Sequence, residues 1–468
     1  MPNSNGRNRR AAQKRVLIAG RGVAGLSLSS EVVAGGDVLV GFLDDVVQAS
    51  DVLGTLADVA AVCEREDVGV VYFAIPSAPG EVVREFVTQV HRSGVELAIV
   101  PRTYRIVSRD RVSVSDLTDV DILDLVGRAP VKHDMVHAGD TIRGRRVMVT
   151  GAAGSIGSRI VAQLSMLEPE LIVCVDRSES GMFRLGNSLR DTSNTRLEIG
   201  DVQSEERMSQ LMAGYRPDFL FHVAAYKHVP LMQHNPIEAF NNNVWGTWNV
   251  FSRAAEHGVG NVVYVSTDKA VNPTNVMGAT KRLGELLLRD LAAVSPSTRF
   301  SGVRFGNVLE SEGSVMQTFR QQLQQGVNLT VTDPEITRYF MTIDEAAQLV
   351  IQTATAGRPG DLFVLDMGEP IRVFDLARGL IDAVDPSLDV DIIGLRPGEK
   401  MYEELSHASS SVDSTTHPKI FIVSDSYARE PGETSRWAAE LLDRTRRYDL
   451  APDELIEALR SFGFDALQ

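Results

Sequence analysis

Cysteine is nearly absent: 468 residues hold two, Cys63 and Cys174, far apart and each within a mainly apolar run. That excludes a disulfide-stapled secreted scaffold and predicts two buried, reduced thiols in a cytoplasmic protein. Long apolar runs are lacking too. No window approaches about 18 consecutive apolar residues, so no membrane-spanning helix is expected. The N-terminus is polar and basic, with Arg7, Arg9, Arg10 and Lys14. Without the apolar core of a signal peptide, residues 1–14 read as a disordered basic tail. Positive charge is in deficit: 47 Lys and Arg stand against 62 Asp and Glu, a net −15. A general nucleic-acid partner needs a basic face and is excluded, while a local basic pocket for a diphosphate is not. No His or Cys spacing suggests a metal site, and Ser266 has no evident His base for a Ser-His-Asp arrangement.

What is present is an ordinary globular composition, 43% hydrophobic and 23% charged, in a chain long enough for two or three domains. Short apolar runs alternate with helix-like segments from residue 15: Arg15 to Ala19, Val38 to Leu43, Val68 to Ala74 and Glu96 to Val100 read as strands. Such alternation predicts a doubly wound parallel sheet with helices on both faces, here over 15–104. Residues 105–140 are acidic and less periodic, and too poor in Gly and Ser for a flexible tether. They read as a packed connector. The alternation restarts with Val147 to Thr150 and continues through Leu171 to Val175, Leu197 to Ile199, Phe219 to Val223 and Asn261 to Val265. It loosens beyond about residue 305. The expectation is a second α/β domain over 141–468, with a smaller C-terminal substrate-binding lobe mainly after 305.

Each domain opens on a glycine-rich turn between strand and helix. Gly151, Gly154 and Gly157 give G-x-x-G-x-x-G, with Ser155 and Ile156 starting the helix. A pyrophosphate needs a tight turn, a backbone it can approach, and helix N-terminal amides facing its charge. Asp176 ends the next strand, about 20 residues further on, where a carboxylate binds ribose hydroxyls. Asp201 and Val202 follow the third strand and are placed for the adenine. Ala224 and Ala225 follow the fourth. Arg177 would suit a 2′-phosphate, but Asp176 would repel it, so NAD is expected rather than NADP. In the first domain Gly20, Gly22 and Gly25 with Asp44 match G-x-G-x-x-G. They mark either a second nucleotide site or only a tight turn.

The chemistry concentrates after Val265, in Ser266-Thr267-Asp268-Lys269 and Asn275-Val276-Met277-Gly278-Ala279-Thr280-Lys281-Arg282. With Phe221-His222-Val223-Ala224-Ala225-Tyr226-Lys227-His228-Val229-Pro230, Thr337-Arg338-Tyr339-Phe340-Met341-Thr342 and Arg396-Pro397-Gly398-Glu399-Lys400, these segments resemble the polysaccharide-biosynthesis-type nucleotide-sugar 4,6-dehydratases. The likeness is to the long form, which carries an extra N-terminal Rossmann-like domain, and it runs from about 15 to at least 406. It implies two Rossmann-like domains and a short-chain dehydrogenase chemistry in which the usual Tyr, four residues before Lys281, is Met277. A thioether carries no proton, and the long branch shares this Met.

The resemblance implies water removal from a UDP-hexose, best matched by UDP-N-acetylglucosamine with retained C5 configuration. The sugar is oxidised at C4, loses its C5 proton and C6 hydroxyl, and is reduced at C6. By analogy Asp268 is the acid at the C6 hydroxyl, and Lys269, neutral, is the C5 base. Lys281 holds the nicotinamide ribose and Thr267 bonds the C4 oxygen. Asp268, Lys281 through a water, or Lys227 removes the C4 hydroxyl proton. Arg338 and Arg396 clamp the diphosphate; Lys227, His228, Asn307 and Glu399 are further substrate contacts. His222 reads as structural. Long members usually begin with transmembrane helices, so the resemblance implies a soluble version and, as is usual in the superfamily, a homo-oligomer built through catalytic-domain helices. After Arg304-Phe305-Gly306-Asn307-Val308 the usual Leu-Gly-Ser-Arg-Gly is Leu309-Glu310-Ser311-Glu312-Gly313, two positions turned acidic. That departure puts the sugar and base in question more than the reaction. An epimerase or ketoreductase on the same fold, or a nucleotide-sugar or NAD sensor without turnover, are the alternatives.

Overall fold

The computed structural model describes residues 13–101, 112–118, 120, 122–127, 135–189, 192–424 and 430–468. The tail 1–14, save Gln13 and Lys14, and much of the connector lie outside them. By residue contacts the chain divides into two compact units. One comprises 1–130 with 322–330 and 374–391; the other comprises 131–321, 331–373 and 392–468.

The first unit is a five-stranded parallel sheet: β1 (Arg15–Ala19), β2 (Val38–Leu43), β3 (Val52–Gly54), β4 (Val70–Phe73) and β5 (Glu96–Ile99), in the order β3-β2-β1-β4-β5. β3, too short for a periodic signal, is an addition to the four expected strands. Helix α1 (Val23–Gly35) follows the first glycine turn. Asp44 there accepts from the backbone amides of Arg21, Val46 and Val47 at 2.7–2.9 Å. The late segment 374–391 joins this unit through Asp382, which accepts from Thr88 Oγ1 at 2.8 Å.

The second unit holds a nine-stranded sheet. Parallel strands β6 (Arg146–Thr150), β7 (Leu171–Asp176), β8 (Thr195–Ile199), β9 (Phe219–His222), β10 (Asn261–Val265) and β11 (Arg299–Arg304) run β8-β7-β6-β9-β10-β11. Leu362–Leu365 adds a further parallel strand beyond β11, and Ile420–Ser424 and Ser411–Ser414 close that edge antiparallel. The inner strands β6, β7, β9 and β10 are mostly apolar because both faces are covered. Val147, Val149, Phe219, Phe221, Val263 and Val265 face one core. The alternate residues Met148, Leu220, Val262 and Tyr264 face the other. Helix α2 (Ser155–Leu164) leaves β6, and α3 (Val276–Val294) follows β10. α4 (Glu433–Arg446) and α5 (Pro452–Ser461) share a third apolar cluster with α3.

Cys63 and Cys174 are buried and unpaired, and burial pushes their thiols up to about 11 and about 12. Among the described residues no helix is long and apolar enough to cross a membrane.

Candidate active site

The carboxyl ends of β6, β7, β9 and β10 bring the expected residues to one edge of the sheet, where a doubly wound fold receives ligands. The turn after β6 is tight. Gly151 has φ +71°, and a Cβ on it would lie 2.5 Å from the amide nitrogen of Ala224. A Cβ on Gly157 would lie 2.1 Å from the Gly151 carbonyl oxygen. The turn, helix α2 and the Ala224–Ala225 segment therefore form one close-packed cradle that only glycine permits. Asp176 accepts from the amides of Ala153 at 3.1 Å and Ser178 at 2.8 Å, so its carboxylate braces this turn. Arg177 bonds the Tyr226 hydroxyl, lies over that ring at 4.5 Å, and reaches Asp201 at 3.8 Å. Ser155 accepts from the Glu312 amide at 2.9 Å, Ile156 packs on the core, and Val202 is buried. Strand, glycine turn, helix N-terminus and Asp176 together fit a nicotinamide dinucleotide.

β10 ends in a short turn that buries the Asp268–Lys269 pair. The Asp268 amide donates to the Phe305 carbonyl at 3.1 Å, and the Thr267 hydroxyl donates to Asp268 Oδ1 at 2.8 Å. Helix α3 presses on this turn: a Cβ on Gly278 would lie 2.2 Å from the Lys269 carbonyl oxygen. Asn275 caps α3, accepting from the Gly278 amide at 2.8 Å and donating to the Gly398 carbonyl at 3.0 Å. Asp268 is fully buried. An exposed ion pair, the usual fate of such a dipeptide, is thereby excluded.

Lys269 Nζ donates to Asp268 Oδ1 at 3.0 Å and to Asn307 Oδ1 at 3.1 Å, and lies 3.5 Å from Glu403. Burial works against its charge, but Asp268 and Glu403 outweigh that and raise its pKa. The neutral Lys269 expected of a C5 base is therefore not the form favoured in this arrangement. The opposing carboxylates are the reason.

Arg338 also differs from its expected part. Its guanidinium donates to the carbonyls of Thr337 and Met401 at 2.7 and 3.3 Å and to Glu399 at 3.1 Å, and lies 3.8 Å from Glu403. It is half of a buried network and not an open phosphate fork. Glu399 in turn accepts from Thr332 Oγ1 at 3.3 Å and the Arg396 amide at 3.1 Å, while the Arg396 side chain is exposed.

Lys281 is buried. Its ammonium donates to the Val265 carbonyl at 2.6 Å and sits 4.1 Å from the Tyr264 ring centroid. Burial lowers its pKa to about 7, with Glu285 opposing. Here it braces the main chain at the end of β10, a different contact from the ribose expected of it. Met277 packs with Met232, Ala239 and Val276. Lys227 and His228 lie near Glu312, and burial lowers both pKa values. Glu310 holds φ +62° and is paired with Arg320 at 2.9 Å. His222 is structural: each ring nitrogen meets a hydroxyl, Thr150 at 2.7 Å and Thr247 at 3.0 Å.

Three residues escaped the sequence reading. Asn243 accepts from the Tyr226 amide at 2.8 Å and donates to its carbonyl at 3.0 Å, fixing the segment before Lys227. Glu285 accepts from Ser266 at 2.6 Å and from Arg282 and Arg304 at 2.7–2.8 Å, anchoring the residue before Thr267. Glu403 has no local signal separating it from its neighbour Glu404.

These features define an α/β protein with a Rossmann-like dinucleotide cradle beside a buried acid–lysine pair. The chain belongs to the polysaccharide biosynthesis protein family, whose model matches residues 147–425. It is 38% identical over 437 residues to the probable polysaccharide biosynthesis protein EpsC of Bacillus subtilis, covering 90% of this chain and 73% of that one. It is 34% identical to a UDP-N-acetylglucosamine 4,6-dehydratase (inverting) of Campylobacter jejuni, over 57% of this chain and 79% of that one. It is 37% identical to a UDP-glucose 4-epimerase of Rickettsia canadensis, over 56% and 77% respectively.

Proposed function

We propose that the protein is an NAD-dependent nucleotide-sugar 4,6-dehydratase, acting on UDP-N-acetylglucosamine to give a 4-keto-6-deoxy sugar and water. The observation that carries this reading is the buried Asp268–Lys269 pair at the end of β10, beside the cradle. Elimination across C5 and C6 needs both an acid and a base. Epimerisation returns the sugar to its C4 alcohol and needs no acid at C6. Bound NAD supplies the oxidation at C4 and the reduction at C6. Gly151, Gly154, Gly157 and the amides of Ser155 and Ile156 hold its pyrophosphate, and Asp176 its adenosine ribose. NAD is preferred over NADP because Asp176 would repel a 2′-phosphate and Arg177 is engaged by Tyr226 and Asp201.

Thr267 orients the C4 oxygen. Asp268 protonates the departing C6 hydroxyl, and Lys269 removes the C5 proton. Lys227, His228, Asn307 and Arg396 line the substrate, while Arg338 and Glu399 hold the segment that carries Glu403. The C4 hydroxyl proton leaves to Asp268, to Lys227, or through water to Lys281. C5 configuration is retained, as the resemblance to the long-form branch implies.

Incubation with UDP-N-acetylglucosamine in heavy water tests this reading. The expected product has lost one water and gained one deuterium at C5, with unchanged configuration by NMR. A product of unchanged mass epimerised at C4 favours the epimerase. Tight binding without turnover favours the sensor. Asp268→Asn and Lys269→Ala are each expected to lower turnover by about 10²–10⁴-fold while keeping bound NAD. Unchanged turnover in either variant rules out that residue's assigned role.

A further inference from the structure

Glu403 has no part in the mechanism above, yet it is the second carboxylate on Lys269. Its side chain is 3% exposed, against 43% for Glu404. Oε1 lies 3.5 Å from Lys269 Nζ and 3.8 Å from Arg338 Nε. Oε2 is buried and has no hydrogen-bond partner among the described residues. Buried carboxylate oxygens are almost always paired. Asp268 Oδ2 is likewise unpaired, but Asp268 Oδ1 already accepts from both Thr267 and Lys269, whereas Glu403 accepts no hydrogen bond from the ammonium it faces and has room to hold a proton.

Charge conservation points the same way. The groups facing Lys269 are Asp268 on its own turn, the neutral Asn307, Arg338, Glu403, and the charge of Lys227 from the loop after β9. Glu399 sits on the far side of Arg338. Loss of the Lys269 proton to solvent would leave two buried carboxylates facing an amine. Transfer to Glu403 leaves the net charge of the cluster unchanged. A neutral amine–acid pair also gains on an ammonium–carboxylate pair as water is excluded. The Arg338 guanidinium beside Glu403 is shared with Glu399 and two carbonyls.

We propose that Glu403 is a positioning residue that takes the Lys269 proton when substrate seats, leaving the amine that removes the C5 proton. This rests on the dehydratase reading. The protons balance. Lys269 gives one to Glu403 and takes one from C5. Lys269 then passes a proton to Asp268, 3.0 Å away, which protonates the C6 oxygen, whose bond to C6 breaks with its electron pair to release water, and Glu403 returns its proton to Lys269. The C5–H electron pair forms the C5–C6 double bond. When C6 is reduced, Lys269 returns a proton to C5, and the proton lost earlier from the C4 hydroxyl recharges the amine.

The test uses the full chain with bound NAD, as wild type, Glu403→Gln and Glu403→Asp, with UDP-N-acetylglucosamine in heavy water. Single-turnover absorbance of reduced nicotinamide reports C4 oxidation, and mass spectrometry reports C5 deuterium. Glu403→Gln is expected to keep C4 oxidation within about 3-fold and to lose C5 exchange by about 100-fold. Its remaining exchange should rise about tenfold per pH unit in alkali, because the amine must then lose its proton to solvent, whereas wild type stays flat. Glu403→Asp should restore the flat profile at reduced rate. Equal exchange in wild type and Glu403→Gln overturns the proposal alone, as does loss of both steps with the wild-type pH profile. Wild type that binds but neither exchanges nor dehydrates overturns the dehydratase reading and this proposal with it. Should Glu403→Gln fail to fold, by melting and bound-NAD content, the Glu403→Asp profile decides: flat supports, rising overturns.

Discussion

His222 shows what single-residue burial does to a titratable group. It is enclosed by Thr150, Thr247, Tyr264 and Phe251, with both ring nitrogens on hydroxyls. Burial first, and the charge of Lys281 second, pull its pKa down to about 3. The folded state thus holds the neutral ring, while the unfolded ring protonates near its ordinary ~6.5. Its stabilising contribution is complete above that value and is lost as pH falls toward about 3. Between pH 7 and 5 this one group should cost on the order of 2 kcal/mol. Denaturant midpoints across that window, compared with a His222→Gln variant whose amide meets both hydroxyls, measure it. An equally steep fall in the variant would assign the acid sensitivity elsewhere. Asp268 and Lys269 belong to the same scale. Their dipeptide is legible in sequence, but its burial comes from neighbours far along the chain.

At the scale of elements, the site depends on how β10, β11 and α3 are locked together. Glu285 on α3 binds Ser266 after β10, Arg304 at the end of β11, and Arg282 one turn back. All four are buried. Burial alone would raise the Glu285 pKa, but Arg304 and Arg282 bring it down to about 2. Removing one member of such a network leaves uncompensated charge. Glu285→Gln should therefore cost about 3–5 kcal/mol, read from chemical denaturation. A smaller loss, below about 1 kcal/mol, would mean the guanidiniums find other partners.

At the scale of the molecule, α3 is an internal element. Nearly every residue from Val276 to Leu291 is buried. Phe240, Leu283, Leu286 and Leu287 share one cluster with Ala438, Leu442, Leu455, Leu459 and Phe462 of the C-terminal region. A dimer through catalytic-domain helices that used α3 would need an apolar face that the chain's own α4 and α5 already cover. Leu455→Ala should cost about 2–5 kcal/mol and, by loosening that cover, promote self-association visible in light scattering. Loss of stability with no change in mass would limit the cover to a packing role.

The sequence by itself determined the first parallel sheet and the parallel part of the second, because apolar runs of strand length alternating with helices leave few other solutions. It also determined the Gly151–Gly157 cradle and Asp176, since a turn that tolerates no side chain must be written in glycine. The Asp268–Lys269 position was legible for the same local reason, at the end of a strand before a capped helix. Tertiary structure alone decided the rest. Lys269 keeps its charge beside Asp268 and Glu403, the latter 134 positions away by numbering, and Arg338 is drawn into pairing with Glu399 rather than left open. Lys281 turns to a main-chain carbonyl, and segment 374–391 joins the first unit. Electrostatic partnership depends on distance in space, and no local periodicity encodes which of two adjacent glutamates will be buried beside a lysine.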